Sequence, residues 1–251
     1  MPTIKDVFAY LCELAPLDMQ LGFDNAGFLV GRENAVCRKV LISLDVTKDV
    51  IEEAISGKYE LIVSHHPIIF SAIKSVTDDK LLELAENRVA VISMHTNLDI
   101  AEGGVNDVLL ALIGAEREAY LDEENCGRIG HLPQELPLKD FLEICMDRLH
   151  TNGLRYYDSG RRVKRVAVLG GSGGDEVMTA FEKGCDTYLT SDIKYHQFLL
   201  AQELGINLID GDHFGTEDPV IDTLREKLTA RFPDTAFDKA KHHLPVVKFF
   251  C

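Results

Sequence analysis

Histidines and carboxylates recur at matching positions in this 251-residue chain. One adjacent pair of histidines follows the apolar run Leu61-Ile62-Val63 and precedes Pro67, which ends the extended segment. Two further histidines each have a carboxylate four residues later. Imidazole and carboxylate groups together suit zinc, iron(II), manganese or cobalt. The candidate metal-binding residues are His65, His66, His95, Asp99, His213 and Glu217.

The number of candidate ligands favours two metal ions, because a single tetrahedral zinc needs only four ligands. Such a pair, about 4 Å apart, is held by a bridging carboxylate and a bridging water. Glu217 is the better bridge because its side chain is longer than that of Asp99. Neighbouring residues on an extended backbone point in opposite directions, so His65 and His66 are expected to bind different ions. Taken singly, His95 or His213 has the alternative of an ordinary hydrogen-bonded loop residue.

The elements that must position these side chains are apolar strands. His65 and His66 lie at the carboxyl end of a predicted strand, where open α/β sheets place their ligands. His95 and His213 follow two further predicted strands, residues 89–94 and 205–211. Both His-x3-carboxylate segments are predicted to be loops, because Gly215 interrupts one pair and the next helix begins at Pro219.

Alternation of strands and helices along the whole chain predicts an α/β fold. The polarity pattern of residues 54–64 matches that of residues 180–190 without gaps, which indicates an internal duplication. The prediction is two similar α/β domains with a dinuclear metal site in the cleft between them. Residues 1–125 form the first half and residues 126–251 the second, with a C-terminal strand able to pack back on the first half.

The glycine-rich stretch 170–174 follows a predicted strand and has two interpretations. It resembles a phosphate cradle at a helix start, or it is a tight turn. It has neither the dinucleotide-binding spacing nor the Lys-Ser/Thr of a P-loop. His196, in a predicted helix, is a candidate proton carrier or phosphate contact. The remaining histidines fit no spacing and are predicted to be surface residues: His131, His150, His242 and His243.

Composition and charge restrict the class of protein. The formal net charge of −15 disfavours nonspecific nucleic-acid binding, because a phosphate backbone would be repelled. The six cysteines include no CxxC pair, which fits reduced thiols in the cytosol. The first residues form an amphipathic helix pattern and not a signal sequence, and no apolar stretch is long enough for a membrane span. We expect a soluble cytoplasmic protein.

Five sequence motifs, in order and spread over nearly the whole chain, resemble the GTP cyclohydrolase 1 type 2 homologues, also called the NIF-three-like family. The length is similar to that of the short form, which lacks a middle insertion. The matching segments are Phe23-Asp24-Asn25-x-Gly27, Ser64-His65-His66-Pro67-x-x-Phe70, His95-Thr96-Asn97-Leu98-Asp99 with Gly104-Val105-Asn106-Asp107, Gly170-Gly171-Ser172-Gly173 and Gly211-Asp212-His213-x-x-x-Glu217.

The resemblance implies two similar α/β domains, a dinuclear metal site between them and a ring-shaped homohexamer. By motif, the implied ligands are His65, His66, Asp99, His213 and Glu217, with Glu217 as the bridge. His95 matches a position that orients a ligand or water. The sequence departs from the family pattern at one place. Many relatives have Gly-Glu where this chain has Ser191-Asp192, and a His pair where it has Tyr195-His196.

The resemblance also implies an activity, the opening of the purine five-membered ring with release of formate. Metal-activated water would attack C8, and His95 or His196 would move protons. We rank a hydrolase that uses two divalent metal ions and acts on a nucleotide-like small molecule first. A non-enzymatic metal-binding or ring-forming interaction protein and a phosphoesterase are the alternatives. Duplex DNA inside the ring is disfavoured by the acidic charge.

Overall fold

Two β-sheets and the helices packed on them give residues 1–248, the part of the chain that this computed structural model describes, a mixed α/β fold. The strands are β1 (Gly27–Val30), β2 (Lys39–Ser43), β3 (Leu61–Ser64), β4 (Ala90–Ser93), β5 (Glu116–Tyr120), β6 (Arg128–Leu136), β7 (Arg155–Tyr157), β8 (Val163–Val168), β9 (Thr187–Thr190), β10 (Asn207–Asp210) and β11 (Ala236–Lys239). The α-helices are α1 (Ile4–Leu14), α2 (Lys48–Ser56), α3 (Asp79–Glu86), α4 (Thr96–Ile100), α5 (Val105–Leu112), α6 (Leu138–Arg148), α7 (Val177–Glu182), α8 (Tyr195–Leu204), α9 (His213–Glu217) and α10 (Pro219–Arg231).

Each sheet belongs to a different compact unit. The first unit comprises Met1–Glu102 and Ile221–Leu244, and the second comprises Gly103–Val220 and the described residues from Pro245. Strand order in the first unit is β1-β4-β3-β2-β11, and in the second it is β5-β6-β8-β9-β10-β7. The predicted halves, 1–125 and 126–251, are continuous in sequence, whereas each unit combines separate segments. The C-terminal strand β11 pairs in parallel with β2 of the first unit.

The sheet of the first unit has three adjacent parallel strands, β2, β3 and β4, all strongly apolar. Leu41, Ile62 and Val91 point to one face, where they pack with buried residues of α2 and α3. The alternate positions in these strands are also buried. Burial on both faces accounts for continuous apolar runs instead of an alternating pattern.

The sheet of the second unit is covered by helices on both faces. Val166, Val168 and Leu189 pack on one face with α5 and α6, whereas Ala167 and Tyr188 pack on the other with α7 and α8. Successive residues of a strand point to opposite faces, so each strand contributes to both cores. The carboxyl ends of β8, β9 and β10 lie at one edge because these strands are parallel.

Both units contain the same order of elements. The first has β2-α2-β3-α3-β4-α4 and the second has β8-α7-β9-α8-β10-α9. The matching segments 54–64 and 180–190 place β3 and β9 in the same register, so the residues after these strands also correspond. Three parallel strands therefore direct loops to one sheet edge in each unit. An origin by duplication stays a prediction.

Two segments predicted to be loops are short helices, and that prediction was wrong. In α4, the first helical N–H, on Thr96, donates to the carboxylate of Asp24, 3.0 Å away. In α9, Asp212 is the N-cap and its carboxylate accepts from Gly215 N at 3.2 Å. Capping satisfies N–H groups that a first turn leaves without a helical partner, which stabilises even a single turn. In residues 1–248 no helix combines the length and apolar character that crossing a bilayer demands.

Candidate metal centre

Three histidine rings form a cluster at the strand ends of the first unit. His65 and His66 follow β3, and His95 follows β4. Ring centroids lie 5.0 Å apart for His65 and His66, 5.2 Å for His65 and His95, and 5.6 Å for His66 and His95. One nitrogen from each ring lies within 4.8 Å of the other two. The two rings lie close together because β3 ends at Ser64 and the chain bends at both histidines. The expectation that His65 and His66 bind different ions stays a prediction.

Hydrogen bonds fix the Nδ1 side of all three rings. The acceptors are the Met94 carbonyl at 2.8 Å from His65, Asp45 Oδ1 at 2.7 Å from His66 and Asp24 Oδ1 at 2.8 Å from His95. An Nδ1–H that donates to an oxygen sets the tautomer and leaves Nε2 with the lone pair that binds a metal. Metal-binding histidines in proteins use this arrangement.

Asp24 holds His95 and the start of α4 at once. Its carboxylate accepts from His95 Nδ1 and from Thr96 through both the backbone N–H and the hydroxyl, the latter at 2.5 Å. Burial would raise the pKa of Asp24, but the hydrogen bonds from His95 and Thr96 outweigh it and lower the pKa to about 2. Asp24 is therefore an anion at neutral pH, and its hydrogen bond fixes the orientation of the His95 ring.

Asp99 brings a carboxylate to the same cluster. It lies in α4, one turn after His95, and its side chain is largely buried. Asp99 Oδ1 is 3.6 Å from His65 Nε2. The cluster therefore combines imidazole nitrogens with a carboxylate oxygen, a donor set that fits zinc, iron(II), manganese or cobalt.

The second unit carries a second pair of candidate ligands on α9. His213 and Glu217 are four residues apart in a helix and so share a face, with His213 Nε2 3.1 Å from Glu217 Oε2. His213 Nδ1 is 2.8 Å from Asp192 Oδ2. Burial would lower the pKa of His213, but the hydrogen bonds and negative charges of Glu217 and Asp192 raise it to about 9. The pair attracts positive charge, either a proton or a cation.

The glycine-rich turn after β8 lies directly against Glu217. A Cβ atom on Gly171, which has φ +68°, would overlap the Glu217 carboxylate. The backbone N–H groups of the turn donate within the second unit: Gly170 to Asn106 Oδ1, Gly171 to Thr216 Oγ1 and Gly173 to Thr190 Oγ1. A phosphate cradle needs such groups for its ligand. The geometry therefore favours the tight-turn interpretation, in which glycine makes room for the carboxylate.

A family model described as Duf34/NIF3 (NGG1p interacting factor 3) matches residues 2–244. The chain belongs to this family. A Clostridium perfringens protein named GTP cyclohydrolase 1 type 2 homolog is 32% identical over 240 residues, covering 91% of this chain and 92% of that protein. A Nostoc protein of the same name is 38% identical over 203 residues, covering 76% and 77%. The resemblance found in the motifs is confirmed.

A solved structure supports the same fold. The Bacillus cereus protein related to NIF3 superposes with a TM-score of 0.91 over 99% of both chains, at 22% sequence identity. At that identity the similarity concerns the fold alone.

His196 does not join either cluster of this NIF3-family chain. It is exposed in the first turn of α8, beside the 77% exposed Tyr195. Among residues 1–248, it is not part of a group of side chains that could hold a metal ion. A role for His196 in moving protons stays a prediction.

Four residues that orient the candidate ligands had no assigned role in the sequence: Asp24, Asp45, Asp192 and His243. Asp24 lies inside a family motif, and Asp192 corresponds to His66 when residues 54–64 are aligned with residues 180–190. The sequence alone could therefore have indicated a role at the site for both. Asp45 follows β2 and so reaches the same edge as His65. His243 was predicted to be a surface residue, which was wrong: it is 9% exposed and contacts Asp45.

Proposed function

We propose that this protein is a metal-dependent hydrolase that acts on a nucleotide-like small molecule. The proposed ligands for about two divalent ions are His65, His66, Asp99, His213 and Glu217. The observation that carries the proposal is an arrangement that four candidate histidines share, three in the first unit and His213 in the second: each has its Nδ1 held by an oxygen acceptor. A hydrogen bond from Nδ1 to an oxygen acceptor is typical of histidines whose Nε2 binds a metal ion.

A divalent cation held by these residues supplies Lewis-acid chemistry and makes water nucleophilic at neutral pH. His95 is the proposed proton carrier. Its Nδ1 donates to Asp24, so its Nε2 is the atom that accepts or releases a proton. The cluster is partly shielded from solvent, because His65 is fully buried and Asp99 is 9% exposed. Shielding strengthens the electrostatic interactions of the reacting groups.

Two aromatic rings beside the cluster support a nucleotide-like substrate. Phe23 is 62% exposed and Phe70 is 50% exposed, and their ring centroids are 6.2 Å apart. Phe70 is also 6.2 Å from the His95 ring. The backbone between them is anchored, because Asn25 donates to the Ile69 carbonyl at 2.6 Å. Exposed rings on a fixed backbone offer a stacking surface for a nucleobase.

The names of the curated relatives suggest which nucleotide reaction to test first. Those proteins are called GTP cyclohydrolase 1 type 2 homologs, so we propose purine ring opening with release of formate as the leading reaction. The second candidate is a metal-binding protein without catalysis. Burial of His65, Asp99 and Glu217 favours it, because closed and buried coordination is typical of structural metal sites.

The decisive experiment loads the purified protein separately with zinc, iron(II), manganese and cobalt and offers GTP and a panel of phosphodiesters. Formate release from GTP supports the cyclohydrolase proposal, and phosphoester cleavage would replace it with a phosphoesterase. Phe70→Leu keeps an apolar side chain but removes the ring, so we expect KM for the nucleotide to rise several-fold with metal content unchanged. Full metal loading without turnover of any substrate would contradict the hydrolase proposal and favour the second candidate.

Assembly and location belong to the same proposal. The family resemblance suggests a homohexamer, and the six cysteines without a CxxC pair suggest reduced thiols in the cytoplasm; we propose both. The net charge of −15 supports a small-molecule substrate over a nucleic-acid partner.

A further inference from the structure

A chain of three side chains connects the C-terminal segment to the histidine cluster. Asp45 accepts from His66 Nδ1 through Oδ1, at 2.7 Å, and from His243 Nε2 through Oδ2, at 2.9 Å. The two oxygens of one carboxylate are thereby shared between a candidate ligand and a residue close to the end of the described chain. His66 and Asp45 are partly exposed, whereas the His243 side chain is 6% exposed.

The segment that carries His243 is attached along β2 and α2. Strand β11 pairs with β2, and Ala240 N continues the pairing by donating to the Ile42 carbonyl at 2.9 Å. The Glu53 carboxylate then accepts from the backbone N–H groups of Lys241 and His242, at distances of 3.0 to 3.1 Å. These contacts turn His243 inward and leave its neighbour His242 exposed.

A second hydrogen bond to Asp45 has a definite physical effect. The Asp45 side chain is 43% exposed, so on its own it would exchange between rotamers and between protein and water contacts. The bond from His243 fixes Oδ2, which orients Oδ1 towards His66 Nδ1. Fixed outer hydrogen bonds set the ring orientation and basicity of a metal-binding histidine, and their loss costs about 10- to 100-fold in metal affinity.

We propose that His243 is a positioning residue for His66, so that the C-terminal segment 241–244 completes the metal centre. His243 acts through Asp45 and does not touch the metal. The inference rests on the proposed function, since it requires His66 to be a metal ligand.

The test compares His243→Ala with His242→Ala in the full chain. Affinity for zinc is measured by competition with a chromogenic chelator. His243→Ala should weaken zinc affinity about tenfold or more, whereas His242→Ala, one residue away but exposed, should change it less than about twofold. His243→Gln places an amide N–H near the position of the ring Nε2 and should restore most of the affinity. Asp45→Ala combined with His243→Ala should be no worse than Asp45→Ala alone, because both act through one carboxylate.

A second readout needs no metal. The ring ¹⁵N shifts of His66 in the metal-free protein should show an Nδ1–H tautomer that becomes mixed in His243→Ala and stays unchanged in His242→Ala. Wild-type zinc affinity and an unaltered His66 tautomer in a folded His243→Ala variant would overturn the inference. If His65→Ala also kept full zinc affinity, the proposed function itself would fail, so the two failures are distinguishable.

Discussion

His213 is held between two carboxylates, and this gives the metal-free protein a measurable pH response. Asp192 and Glu217 contact its two ring nitrogens and raise its pKa to about 9, although burial opposes the shift. The ordinary pKa of histidine is 6.5. A divalent cation that binds His213 must displace this proton, so protons and metal compete over the same range.

Because the folded pKa is raised, protonated His213 stabilises the metal-free fold fully below pH 6.5, and this stabilisation is lost as pH rises through about 9. In His213→Gln the corresponding loss should be absent. We expect the stability difference between the metal-free wild type and this variant, from urea unfolding, to shrink steadily between pH 6.5 and pH 9. An NMR titration that placed His213 near its ordinary pKa would be incompatible with the described contacts.

Residue types and spacing predicted the candidate metal ligands but not the residues that hydrogen-bond to those ligands and orient them. His65, His66 and His95 could be found because each follows a recognisable apolar strand. Asp45 and His243 could not be paired from sequence, because their contact depends on β11 lying next to β2, a pairing between residues almost 200 positions apart. Where many relatives have Gly-Glu, this chain has Ser191-Asp192, so a carboxylate is still present at the second position. The Asp192 carboxylate accepts a hydrogen bond from His213.

The short helices α4 and α9 each position candidate ligands within their own unit. Sequence periodicity could not reveal them, because each has only five residues and one contains Gly215. Their stability comes from capping by Asp24 and Asp212, and Asp24 is distant in sequence from α4. The strands before His95 and His213 were predicted close to their observed bounds: residues 89–94 contain β4 and residues 205–211 contain β10, because each segment has an apolar run.

The glycine turn after β8 provides a test of how an element positions Glu217. Gly171→Ala introduces a Cβ that overlaps the Glu217 carboxylate, at a backbone φ of +68°. Gly160→Ala is the matched control, with φ +79° and nothing within 4 Å of the added Cβ. Both variants should lose about 1–2 kcal/mol of unfolding free energy from backbone strain. Only Gly171→Ala should also lower metal affinity, by about tenfold, because it displaces a candidate ligand.

Urea unfolding and chelator competition on the same preparations separate the two effects. Equal metal affinities in the two glycine variants would show that the turn does not set the position of Glu217.

At the scale of the whole molecule, the α/β fold and the family followed from the sequence, whereas the composition of the compact units did not. The last helix, for the most part, and strand β11 belong to the first unit, and α5 belongs to the second. Strand and helix patterns describe local segments, and they do not indicate which core a segment joins when the sequence continues without a linker. The 1–125 and 126–251 division and its origin by duplication therefore remain predictions about sequence.

The central claim is that the candidate histidines and carboxylates bind metal. The most direct measurement is metal content per chain, by elemental mass spectrometry, on protein purified without added metal. We predict about two divalent ions per wild-type chain. His65→Ala, His66→Ala and Glu217→Ala should each lower that content while circular dichroism shows an intact fold, and the exposed control His242→Ala should keep it. Full metal content in all three ligand variants would contradict the account.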